Sequence, residues 1–141
     1  MKKIAIVYYS GTGNTEEMAD AVLKGAHKAG AEVRLILAQF FKAEMVEMYD
    51  AIGFGCPARG VEELEEDYFE PMFSSLEEKL EKKPIALFGS YGWGDGEWMR
   101  TWEKRVLSRG AKMVSEPVIA METPDAEALE ACKALGKALA Q

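Results

Sequence analysis

Lys3-Ile4-Ala5-Ile6-Val7-Tyr8-Tyr9 is a short run rich in β-branched and aromatic residues, and Ser10-Gly11-Thr12-Gly13-Asn14-Thr15 follows it without a break. Beyond the loop, Met18, Val22 and Ala26 recur at four-residue spacing. A strand that ends in a glycine loop and gives way to an amphipathic helix is the first half of a βαβ unit. Such a unit needs a right-handed crossover to a second parallel strand.

The same alternation continues along the chain. Glu32 to Leu37, Ala51 to Gly55, Pro84 to Ser90 and Val114 to Ala120 read as further strands. Met72, Leu76 and Leu80 mark one helix between them, and Trp98, Trp102 and Val106 mark another. Leu129, Cys132 and Leu139 mark a last helix, with Thr123 as its expected N-cap and Pro124 in its first turn. Gln39 to Met48 is compatible with a short helix or an irregular connection. The expected architecture is α/β, a doubly wound three-layer sandwich around a five-stranded parallel sheet in the order 2-1-3-4-5. Its ligand should sit beyond the carboxyl ends of the strands.

The 141 residues, 48% of them hydrophobic, suffice for one core, so residues 1–141 are expected to form a single domain. Seventeen Lys and Arg against 24 Asp and Glu give a formal charge of -7, which repels nucleic acid and anionic membrane surfaces. No run approaches a membrane span, and the first strand lacks a small-residue cleavage site, so a cytoplasmic protein is expected. Cys56, Cys132 and His27 form no metal-ligand spacing, and neither a metal site nor a disulfide framework is suggested. The thiols are expected to be reduced and buried.

The first loop offers hydroxyls, an amide and unhindered backbone N–H groups where a helix begins, which makes a phosphate cradle. It is not a dinucleotide fingerprint, because Glu16 stands where the third glycine should be, and no Gly-Lys-Ser/Thr follows to make a P-loop. With no lysine or arginine in the loop, a phosphate dianion would be held by neutral donors and the helix dipole. The plainer alternative is a tight turn with Asn14 or Thr15 capping the helix. A third glycine-rich loop, Ser90-Tyr91-Gly92-Trp93-Gly94-Asp95-Gly96, carries a tryptophan between glycines that a core cannot use, whereas Trp98 and Trp102 are placed for packing.

Ser10-x-Thr12-x-Asn14-Thr15 after the first strand resembles the phosphate loop of flavodoxins, and the likeness runs almost from end to end, toward the short-chain type of clostridial and related anaerobes. The resemblance implies bound FMN and a low-potential one-electron carrier, working mainly between flavin semiquinone and hydroquinone, rather than an enzyme. Ser10, Gly11, Thr12, Gly13, Asn14 and Thr15 would hold the phosphate, and Ser90 matches a second phosphate ligand. The second loop, Pro57-Ala58-Arg59-Gly60 and on to Glu62, would run along the isoalloxazine. Gly60 matches the glycine whose carbonyl can turn to flavin N5, and Glu62 the glutamate facing N3. Trp93 would stack on the ring, while the backbone of Ala58, Gly92 and Gly94 would meet the pyrimidine carbonyls beside Tyr91. Pro57 brings neither an N–H nor a hydroxyl.

Two positions depart from the family pattern. Arg59 stands where many relatives carry methionine against the inner flavin face. A guanidinium at ~5 to 7 Å from N1 would favour the anionic reduced flavin by roughly 2 to 3 kcal/mol, on the order of 0.1 V, unless it turns to solvent or pairs with Glu62 or Glu63. Val61 replaces a polar residue and changes the energetics of the turn. The carboxylates Glu62, Glu63, Glu65, Glu66, Asp95 and Glu97 are expected to steer the basic patches of redox partners into transient encounters with a monomer. The rival readings are an FMN-dependent quinone or nitro reductase and a module that uses flavin only structurally. A phosphorylated receiver domain is disfavoured by Ser10 and Cys56 at the positions where it would need aspartates.

Overall fold

The computed structural model describes residues 1–59 and 62–141. β1 (Lys3–Tyr8) lies between β2 (Glu32–Leu37) and β3 (Ala51–Gly55), and β4 (Pro84–Tyr91) follows β3. Among the described residues every pairing of strands is parallel, and the order is β2-β1-β3-β4 with β5 (Lys112–Met113) beyond β4, as the alternation of strands and helices requires.

The expected fifth strand, Val114 to Ala120, is not one strand. The structure places β5 at Lys112–Met113 and β6 at Val118–Met121, both on the free edge of β4. Ile85 pairs with Met113 but Phe88 with Val118, so the register slips by two residues between them. The chain bends at Val114 and Ser115, and Pro117 has no N–H for the ladder.

Alternation along the buried strands divides the core into two halves. Ile4, Ile6 and Tyr8 face α1 (Asn14–Lys28) and α4 (Ala126–Leu139), packing with Met18, Val22, Cys132, Leu135 and Leu139. Ala5 and Val7 face α2 (Phe69–Leu76) and α3 (Glu97–Ser108), where Phe54, Phe69, Phe73 and Trp102 meet edge to face. Trp98 and Trp102 are 1% exposed, the packing role expected of them. α1 and α4 approach backbone to backbone: a Cβ on Gly25 would fall 1.9 Å from the Lys133 carbonyl oxygen, and one on Gly136 2.0 Å from that of Val22.

Helix boundaries differ from expectation in two places. Asp125, not Thr123, caps α4, its Oδ1 accepting from the Ala128 N–H at 2.8 Å. The helix through Met72 and Leu76 ends at Leu76, and Leu80 closes a 3₁₀ turn, Glu77–Leu80. Gln39 to Met48 forms most of two 3₁₀ turns, Ala38–Phe40 and Ala43–Met48. Both cysteines are buried free thiols, and burial pushes the Cys132 thiol up to about 12 and that of Cys56 further still. Among the described residues no helix is long and apolar enough to cross a membrane, and no cluster of His, Cys, Asp and Glu could hold a metal.

Candidate functional site

The carboxyl ends of β1, β3, β4 and β6 lie side by side, and the loops that leave them converge. The ladder continues past the strand ends: the Tyr9 N–H donates to Gly55, Cys56 to Phe88, Ala58 to Ser90 and Glu122 to Tyr91. Between the loops lies a cleft of ≈ 240 Å³. Gly11, Thr12 and Asn14 line it from the first loop, Pro57, Ala58 and Arg59 from the second, and Ser90, Tyr91 and Gly92 from the third.

The first loop is held by its own side chains. The Ser10 hydroxyl accepts the Gly13 N–H at 2.9 Å, and Gly13, at φ 97, takes the left-handed conformation at the N-cap of α1. No side chain caps that helix, so the alternative in which Asn14 or Thr15 does so is not what the chain adopts. The helix opens with backbone N–H groups available to an anion. Beneath it the Thr15 and Ser90 hydroxyls are buried and 2.9 Å apart, joining the first loop to the third.

The second loop closes on itself, with Arg59 and Glu63 exchanging backbone hydrogen bonds of 2.7 and 2.9 Å. Gly60 and Val61 lie outside the described residues. Glu62 stands at φ 48, and its carboxylate reaches the third loop, where Oε1 accepts the Glu97 N–H at 3.1 Å over the start of α3. The carboxylate fills the space a Cβ would need at Gly94. Glu62 thus ties the two loops together.

The acidic stretch after it is not uniformly solvated. Glu65 is 3% exposed and turns inward, accepting the N–H groups of Asp67, Tyr68 and Phe69 at 2.8 Å each at the start of α2. It therefore leaves the set of steering carboxylates. Asp95 is exposed but paired with Arg100 at 2.9 Å, which holds its carboxyl below the usual range. Glu63, Glu66 and Glu97 remain exposed.

Trp93 is 61% exposed at the tip of the third loop, an aromatic face turned to solvent beside the cleft-lining Gly92. Arg59 also lies on the surface, but its guanidinium folds back over the Tyr9 ring, 5.9 Å from the centroid, and Tyr9 in turn stacks with Tyr68. Among the described residues no carboxylate lies within ion-pair distance of it, so the pairing with Glu62 or Glu63 that would cancel its charge is not made.

Sequence reasoning missed one lining residue, Glu122, which follows β6 at φ 54 and donates its N–H to the Tyr91 carbonyl at 2.7 Å. Its signal was its place just after the last strand, at the sheet edge where the other loops emerge.

Comparison with known proteins agrees with this geometry. The family model described as "Flavodoxin" matches residues 6–136. The flavodoxin of Megasphaera elsdenii is 45% identical over 138 residues, covering 98% of each chain, and that of Clostridium beijerinckii 44% identical over 135 residues, covering 96% of this chain and 97% of the other. The solution structure of two-electron reduced Megasphaera elsdenii flavodoxin superposes with a TM-score of 0.89 over 97% of this chain and 98% of that one. With the parallel sheet, the three converging loops and this similarity over nearly its whole length, the chain belongs to the flavodoxin family.

Proposed function

We propose that this chain is a one-electron carrier that binds FMN in the cleft between its three loops and hands electrons between reductases and oxidoreductases at low potential. The observation that carries the reading is the joint presence, at one sheet edge, of an anion-binding helix start and an exposed tryptophan between glycines.

The residues present suit that group. The open backbone of the first loop and the N-terminus of α1 offer N–H donors to a phosphate, with the hydroxyl of Thr12 and the amide of Asn14 on the same cleft. Nothing lies within 4 Å of a Cβ built on Gly92, so the backbone there is open to a flat ligand. Trp93 offers one face for stacking. When bound, FMN supplies two one-electron couples, and the protein is required only to hold it and set its potentials.

This chain's residues would act as follows. The first loop and Ser90 orient the phosphate end. Trp93 covers one ring face and excludes water from it. The backbone of Ala58, Gly92 and Gly94 offers hydrogen bonds to the pyrimidine edge, and Glu62 stands near enough to the third loop to accept a ring N–H by exchanging its bond to Glu97. Exposed carboxylates at Glu63, Glu66 and Glu97 give the rim a negative field that raises the reduction cost of an anionic ring and favours brief encounters with basic patches. We take the working form to be a cytoplasmic monomer that uses the more reducing of the two couples.

The test is a visible spectrum of the FMN-reconstituted protein during stepwise anaerobic dithionite reduction. The carrier reading expects a one-electron-reduced flavin with long-wavelength absorbance to accumulate near half reduction, and no nicotinamide oxidation by the protein alone. Direct turnover of a nicotinamide with a quinone would move the chain to the reductase reading, and failure to take up FMN would sink both.

A further inference from the structure

The family resemblance would set Arg59 against the flavin ring; in the structure its guanidinium lies over the first loop and the Tyr9 ring. A Cβ built on Gly11 would stand 3.1 Å from Arg59 Nη1 and 3.6 Å from the Tyr9 hydroxyl oxygen. The guanidinium therefore lies against the backbone of the first loop, with its carbon 5.9 Å from the Tyr9 ring centroid. Arg59 is the one lysine or arginine that lines the cleft among the described residues, and it shares the cleft with Gly11, Thr12 and Asn14. Among the described residues the ion pairs involve Lys24, Arg100, Arg105, Arg109 and Lys133, and none includes Arg59. Its backbone is pinned by the two bonds to Glu63, and its stem crosses from the second loop to the first.

We infer that Arg59 is a cationic ligand of the phosphate monoester held by the first loop, and that it makes the site select phosphorylated over unphosphorylated flavin. The inference deepens the FMN reading above and rests on it. The remaining donors of the first loop are neutral, and a hydrogen bond from a guanidinium to a phosphate oxygen is about twice as strong as one between neutral groups. The planar fork can engage two phosphate oxygens at once, a geometry that an ammonium lacks. Tyr9 holds the fork over the loop by the attraction of its ring for the cation.

The test compares FMN and riboflavin binding to the flavin-free protein as wild type, Arg59→Met and Arg59→Lys, with inorganic phosphate as a competitor. A charged hydrogen bond of ~1.5 to 3 kcal/mol corresponds to a loss of about 10- to 150-fold in FMN affinity for Arg59→Met. Riboflavin affinity should change by less than about threefold, and Arg59→Lys should fall between the two for FMN. Inorganic phosphate should compete with FMN more weakly against Arg59→Met than against wild type. Equal losses for FMN and riboflavin would assign the guanidinium to the ring, and no loss for either would assign it to solvent; each overturns the inference. Wild-type protein that binds neither flavin would instead overturn the reading on which it rests.

Discussion

Replacing Trp93 by alanine removes the one large aromatic that the third loop holds in solvent. The residue is 61% exposed, so of the ~250 Å² that a tryptophan can bury roughly 150 Å² remains accessible. A flat ligand covers one face, about half of that, and ~75 Å² at ~25 cal/mol/Å² is about 2 kcal/mol. The stacking geometry adds about 0.5 to 1.5 kcal/mol. Trp93→Ala should therefore weaken FMN binding by about 60- to 300-fold. Fluorescence quenching of FMN on titration with flavin-free protein reads the dissociation constant directly. Because the side chain contributes little to the core, the melting temperature of the flavin-free protein should move by no more than about 2 °C. Trp93→Phe should recover part of the affinity. A loss below about threefold, with the fold intact, would show that the tryptophan does not cover the ligand and would refute the argument from its exposure.

Two further substitutions probe how the loops are held. Gly94→Ala forces an L-residue to φ 84 and drives its Cβ to 2.7 Å from the Glu62 carboxyl carbon, so it should cost about 1 to 2 kcal/mol of stability and weaken FMN binding. Adding Glu62→Ala should return part of the loss, and thermal melts that show simple additivity of the two would rule out the clash. Arg105→Met should destabilise by about 2 kcal/mol at pH 7, less than for a fully buried pair, because it strands Glu70 and Glu77, which Arg105 meets at 2.7 and 2.8 Å. Hydrogen bonds from Arg105 hold both carboxyls below their ordinary 4.5. With folded values depressed, their contribution is present above about pH 4.5 and is lost as pH falls through the folded values. Urea titrations should thus show the gap between wild type and Arg105→Met closing in acid, and a gap that persists would mean the arginine acts through its packing on Phe73.

The fold and much of the site were legible in the sequence because they rest on local signals. Strand and helix periods differ, and a glycine loop after a strand marks both a turn and an anion site, so the parallel sheet and the first loop follow from short stretches of chain. The family pattern supplied the remaining residues proposed to meet the ring, and Trp93 stood out because a tryptophan between glycines has no core to enter. Capping was less legible: Thr123-Pro124-Asp125 offers two capping side chains, and only the path of the backbone selected Asp125.

What the sequence could not decide depends on partners distant along the chain. Glu65 looked like its acidic neighbours until three N–H groups at the start of α2 gave its carboxylate a buried role. Val114 to Ala120 carried an apolar pattern suited to one strand, but the two-residue slip against β4 is a property of the pairing and not of either strand. Glu62 tied to Glu97, and Arg59 folded onto Gly11, are settled by which loops the sheet brings side by side. Composition and periodicity report on neighbours within a turn or a strand; the direction of a long charged side chain is decided by where the tertiary fold leaves an unmatched charge, a ring or an open N–H.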